Sequence, residues 1–155
     1  MTQRRFGGDE LLAVAVGGAI GALARYAISV AVPHDDLGAW PWATFVTNLL
    51  GCLALGVLLD WVDARQPDWA GAHPRRARLA RPLLASGVLG GFTTFSTYAG
   101  DAARLLEGGP HAALVGLAYI GGTLLGALSA VWAGAAGTRA LLSGGQGRVR
   151  RREAR

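Results

Sequence analysis

Residues 82–100 form a stretch of membrane length without a single charge, and the chemistry at its centre is wrong for a simple helix. The centre reads Gly90-Gly91-Phe92-Thr93-Thr94-Phe95-Ser96-Thr97-Tyr98. Adjacent glycines lower helix stability by about 1 kcal/mol each, and β-branched threonines add to that. In lipid, backbone outside a helix survives only where it is buried in protein or lines a polar cavity. A span that breaks there turns carbonyls and helix ends inward, which is how ion sites are made in membranes. Hydroxyls at 93, 94, 96 and 97 alternate with rings at 92, 95 and 98. That is a pore-lining composition.

The rest of the chain fits a membrane setting. Of its 155 residues 52% are hydrophobic, and the charges crowd into short stretches. Four runs approach the roughly 20 apolar residues that a span requires, at 11–32, 42–62, 82–106 and 112–140. Trp42 and Trp61 bracket the second run about 28 Å apart, the thickness of the hydrocarbon layer. A polar turn is expected at 33–38, an arginine-rich linker at 63–81 and a tight turn at 107–110. The organisation expected is a cytoplasmic N-terminus at 1–10, a four-helix channel domain at 11–142 and a disordered basic tail at 143–155. The arginines near the start and Ala22-Leu23-Ala24 mimic a secretion signal, but the run continues apolar to Val32 and three more follow. Cys52 stands alone in an apolar run and reads as core filler.

No internal repeat is present, and four spans are too few for an ordinary transporter, so assembly is implied. Gly17 with Gly21, Gly18 with Ala22 and Gly122 with Gly126 have the spacing of close helix contacts, either between subunits or within one.

Three blocks in order carry a family likeness: Gly17-Gly18-Ala19-Ile20-Gly21-Ala22-Leu23-Ala24-Arg25-Tyr26, Thr44-Phe45-Val46-Thr47-Asn48-Leu49-Leu50-Gly51, and Gly90 to Tyr98. Together they resemble the Fluc (CrcB-type) fluoride channels over residues 10 to about 140. The likeness implies an all-α membrane protein of four transmembrane helices, the third broken mid-membrane, assembled as an antiparallel dual-topology dimer.

Several residues acquire roles on this reading. Thr44 and Asn48 share one helical face; Asn48 either donates its amide to an anion or glues helices together, and the resemblance implies the former. Phe95 and Tyr98 lie one turn apart, and two positive ring edges can hold a small anion without trapping it. The family has phenylalanine at both positions, so the Tyr98 hydroxyl is a departure that either donates to the anion or tethers the ring elsewhere. Tyr119 and Thr123 resemble the polar track that continues the fluoride path, which Ala127 cuts short, and Thr123 as helix glue is the alternative. Ser96 belongs to the hydroxyl-rich lining. Arg25, inside the first span, either concentrates anions at a vestibule or snorkels to the interface. The carbonyls of Gly90 and Thr93, by resemblance, hold a structural Na+, not transported, at the dimer centre; carbonyl oxygens are hard ligands suited to it.

The function expected is a passive fluoride-selective channel in the cell membrane that exports fluoride. No paired carboxylates, histidine cluster or nucleophile triad argues for an enzyme, and beside a span the basic tail reads as touching anionic lipid rather than nucleic acid. The alternative is a small antiparallel transporter of the cation-exporter type, which needs a carboxylate in mid-span, and none is seen there. A scaffold would not explain hydroxyls, rings and an amide facing inward together. Thirteen of the fifteen arginines lie in the N-terminus, the linker and the C-terminal stretch from Arg139 onward, and there is no lysine. The bias places both termini in the cytoplasm. Because a self-pairing subunit must insert both ways, it also points to a sister subunit of opposite bias as partner, with the homodimer as the other option.

Overall fold

The computed structural model describes residues 7–32 and 38–153, with side chains to Ser143. Residues 1–6, with Arg4 and Arg5, and most of the expected turn at 33–38 lie outside the described residues.

All regular structure among the described residues is helical. Helix α1 is Gly8–Ala31, α2 Trp42–Ala72, α3 Pro74–Ala80, followed by a π-helical segment Arg81–Leu89. A single turn, α4, covers Gly90–Phe92, α5 runs Phe95–Glu107 and α6 runs Pro110–Glu153. Among the described residues three helices are long and apolar enough to cross a membrane: α1, α2 and α6 as far as Ser143. The protein is therefore a multi-pass membrane protein. The run at 82–106 makes no continuous helix. Thr93 and Thr94 are extended, with ψ of 158° and 121°, and they divide it.

The helices extend beyond the apolar runs. Helix α2 continues through Pro67 to Ala72, so much of the linker is helix rather than loop. Helix α6 carries on to Glu153, so the stretch from 143 that was expected to lack structure is helical to that point. An established helix adds residues at little cost, and arginine is a good helix former.

Packing is set by glycine. Helix α1 lies along the π-helical segment, and a Cβ at Gly17 or Gly21 would run into the carbonyls of Leu83 or Val88. Helix α2 lies along α6, where a Cβ at Gly56 or Gly134 would strike the carbonyl of Val131 or Leu53. Gly122 and Gly126 face Trp40 and Leu49. The small-residue spacings therefore serve contacts inside the chain. Gly18 too is used there, because its backbone abuts Gly91.

Ion pairs gather one end: Asp9 with Arg78, Asp63 with Arg81, and Asp60 with Arg139 at 3.2 Å. They join the start of α1, the outer half of α2, α3, the start of the π-helical segment and the outer half of α6. At the other end Trp40 packs edge-on against Tyr119 with ring centroids 5.5 Å apart, and the core of Ala102, Leu105 and Tyr119 lies between α5 and α6.

Candidate functional site: the break at Thr93–Thr94

The break is held by side chains that replace helical partners. In an unbroken helix the Thr94 N–H would donate to the Gly90 carbonyl; here it donates to Asn48 Oδ1 at 2.8 Å. The same amide returns the bond, Nδ2 donating to the Thr94 carbonyl at 3.0 Å. One asparagine thus satisfies both polar groups of one peptide residue in a poorly hydrated place, where each left unpaired would cost about 1–3 kcal/mol. The Thr97 N–H, which would have served the Thr93 carbonyl, donates to Thr94 Oγ1 at 3.1 Å, so Thr94 is the N-cap of α5. Thr93 closes the preceding end, its hydroxyl donating to the Leu89 carbonyl at 3.0 Å. Gly51 lets the break approach α2, since a Cβ there would meet the Thr93 methyl.

The carbonyls released by these substitutions are those of Gly90 and Thr93. Two hard oxygens without helical partners fit a Na+ ion in chemistry, and a second copy would have to supply further ligands. No cluster of acidic, histidine or cysteine side chains suited to a metal occurs among the described residues.

Beside the break is a cavity of about 320 Å³ lined in part by Arg25, Thr44, Thr47, Thr94 and Thr97. Arg25 is half-buried. Its Nε donates to the Gly91 carbonyl at 3.3 Å, so the guanidinium is tied to the backbone of the break. Thr47 is 2% exposed and went unnoticed in the sequence, although it stands one turn from Thr44 and Gly51 on the same helix.

Thr44 links this cavity to a second cluster. Its hydroxyl donates to Asp101 Oδ2 at 2.7 Å. Asp101 is only 2% exposed and also pairs with Arg104. Asp101 lies near the end of the 82–106 run rather than in its middle, and it was not among the residues singled out in the sequence. The spacing of Tyr98, Asp101 and Arg104, three residues apart on one helical face, was the available signal.

The aromatic groups form a file. Phe95 and Tyr98 have centroids 5.8 Å apart, Tyr98 and Tyr119 5.4 Å apart. Phe95 is 80% exposed, with Ser96 also at the surface and its hydroxyl 3.3 Å from that of Thr94. The Tyr98 hydroxyl donates to the Ile120 carbonyl at 3.2 Å, so of its two options it takes the tether. Tyr119 and Thr123 are both buried. The Tyr119 hydroxyl stands near Thr44 and Asp101, and that of Thr123 has no hydrogen-bond partner among the described residues. The structure therefore brings Thr44, Phe95, Tyr98 and Tyr119 into one neighbourhood, and sets Asn48 and Arg25 around the backbone break. Thr123 lies one turn along α6 from Tyr119.

The family model described as CrcB-like protein, Camphor Resistance (CrcB), matches residues 12–135. A Nocardia farcinica protein named fluoride-specific ion channel FluC 2 is 47% identical over 129 residues, 83% of this chain and 84% of its own. Streptomyces coelicolor fluoride-specific ion channel FluC 1 is 46% identical over 129 residues, covering 83% and 77%. Chloroflexus aurantiacus fluoride-specific ion channel FluC is 39% identical over 123 residues, covering 79% and 90%. All three blocks of the sequence, and the break they build, fall inside the matched region, and the chain belongs to the CrcB family.

Proposed function

We propose that this protein is a subunit of a passive fluoride-selective channel. The observation that carries the reading is 47% identity, across most of both chains, to a relative named as a fluoride-specific ion channel. The chemistry of the site supports it. Hydrogen fluoride crosses bilayers as a neutral weak acid, ionises inside and is trapped as the anion. A channel lets a membrane potential that is negative inside drive the anion out without ATP, and the chain has no phosphate-binding Gly-x-x-x-x-Gly-Lys loop.

Within that reading the third span is the broken segment from Arg81 to Glu107, and the break lies mid-membrane. Fluoride passes along Phe95, Tyr98, Thr44, Tyr119 and Thr123, with Ser96 at the entrance. Ring edges of Phe95 and Tyr98 supply weak positive polarity, and the buried hydroxyls of Tyr119 and Thr123 supply donors. The Arg104 partner of Asp101 lowers the repulsion its carboxylate would exert on an anion. Asn48 and Arg25 act on the path by shaping the break. Phe95 needs a cover, and an antiparallel second subunit provides one. The Gly90 and Thr93 carbonyls of two subunits would hold Na+, which supplies a fixed positive charge between two helix breaks. Thr93→Ser keeps the carbonyl and leaves the assembly intact, whereas Gly90→Val splits dimers in cross-linking assays; equal effects would discard the site.

Fluoride efflux from liposomes containing the purified chain, alone and with a sister subunit, tests the function. Phe95→Ile keeps apolar bulk but removes the ring edge, so flux falls on the order of ten-fold. Normal flux would end the ring-edge mechanism. The arginine bias predicts cytoplasmic termini and a heterodimer with a subunit of opposite bias. An even split of cytoplasmic and external signals from C-terminal reporter fusions would favour the homodimer.

A further inference from the structure

We infer that the notch between the outer part of α2 and α3 is a binding site for one anionic phospholipid, its acyl chain inside and its phosphate on Arg75 and Arg76. The inference rests on the membrane-spanning reading and on no feature of the fluoride path.

The five arginines of the 63–81 linker divide into two sets. Arg65 lies over the Trp61 ring, 5.3 Å from its centroid, Arg78 pairs with Asp9, and Arg81 pairs with Asp63. Arg75 and Arg76 have no carboxylate or ring partner among the described residues and are exposed. These two, and none of the other three, line a cavity of about 390 Å³ with Trp69, Leu79, Ala80 and Leu83. The lining is apolar, so the arginine stems form the wall. Long basic side chains of this kind bury their stems and leave the charge at the mouth.

The position along the chain matches a headgroup layer. The Trp69 ring packs edge-on against Trp61, the residue about 28 Å from Trp42 along α2, with centroids 5.4 Å apart. Tryptophans at that depth mark the membrane–water boundary. Leu83 is the third residue of the π-helical segment that lies against α1, and with Leu79 and Ala80 it makes the apolar side of the notch. On the membrane-spanning reading that side is set toward the hydrocarbon and the two arginines toward the headgroups. An apolar slot capped by two unpaired guanidiniums suits an acyl chain joined to a phosphate, which arginine binds by paired N–H donors. A second copy of the same notch would bring like charges together.

Brominated lipids quench tryptophan on contact, and the part of the signal lost in Trp69→Phe reports this site. In mixed vesicles, brominated phosphatidylglycerol should quench Trp69 with an apparent affinity on the order of ten-fold above brominated phosphatidylcholine. Arg75→Gln/Arg76→Gln should abolish the preference, and Arg65→Gln, outside the notch, should leave it. Both variants alter exposed side chains, and unchanged helicity and elution establish that they fold. Equal quenching by the two lipids, or a preference that survives the double substitution, overturns the site. Loss of the preference in millimolar inorganic phosphate at constant ionic strength would make it a site for a soluble anion and overturn the lipid assignment. Because quenching needs no flux, failure here leaves the channel reading untouched, and the reverse also holds.

Discussion

Along α2 and α6 the backbone satisfies itself, and the sequence has only to bring two complete helices close together. Gly56 and Gly134 do that by leaving no side chain between backbones. From Arg81 to Glu107 the backbone does not satisfy itself. Its amide groups at Thr94 and Thr97 are met by Asn48 and by the Thr94 hydroxyl instead. The contrast separates two uses of the same small and polar residues. In the α2–α6 pair they are geometric and their loss should cost stability alone. In the broken segment they are chemical, and their loss should alter stability and transport together. Tyr119 belongs to both regions, because it sits on α6 yet its hydroxyl stands near Thr44 and Asp101, and Thr123 beside it on α6 carries a buried hydroxyl with no partner among the described residues.

The largest effect should come from the packed pair. Gly134→Leu forces the Leu53 carbonyl away and separates two backbones, costing about 3 kcal/mol or more. Thermal unfolding in detergent should show a strongly lowered midpoint or no folded protein. Tolerance of leucine there would mean that the two helices are not held by close approach.

Next is Asn48→Leu, which abandons a buried N–H and a carbonyl of Thr94 at once. The expected loss is about 2–4 kcal/mol, with fluoride flux lost as well. A variant that conducts nothing but unfolds like the parent would return Asn48 to a donor that touches the ion and would blur the comparison. Smallest is Tyr98→Phe, which removes one hydroxyl tether to Ile120 and restores the aromatic pair usual in the Fluc channels. Loss of one side-chain bond between membrane helices should cost about 0.6 kcal/mol. Flux should stay within about two-fold of the parent, since the ring edge is kept. A large fall in flux would show that the hydroxyl itself takes part in permeation.

The sequence disclosed more of the break than of its surroundings. Gly90-Gly91 and the threonine run gave its position, because local propensity acts over a few residues and needs no fold to be read. The role of Asn48 was only half legible. Its helical face follows from spacing, but its partner is 46 residues away, and periodicity cannot rank a long-range backbone peptide against a passing anion. Asp101 escaped because a carboxylate at the end of an apolar run looks solvated until Thr44 from another helix and Arg104 enclose it. The small-residue spacings were legible as contacts and silent about whose.

What the sequence determined alone was the number and place of apolar runs, the break within one of them and the crowding of arginine at three stretches, all properties of neighbouring residues. Only the tertiary structure decided which polar groups meet. It spent Asn48 and Arg25 on the backbone of the break, tied the Tyr98 hydroxyl to Ile120, set that of Tyr119 beside Thr44 and Asp101, and left that of Thr123 without a partner among the described residues. The physical reason is distance along the chain. A hydrogen bond needs its partner within about 3 Å in space, and where two helices cross is fixed by glycine contacts scattered over the whole sequence.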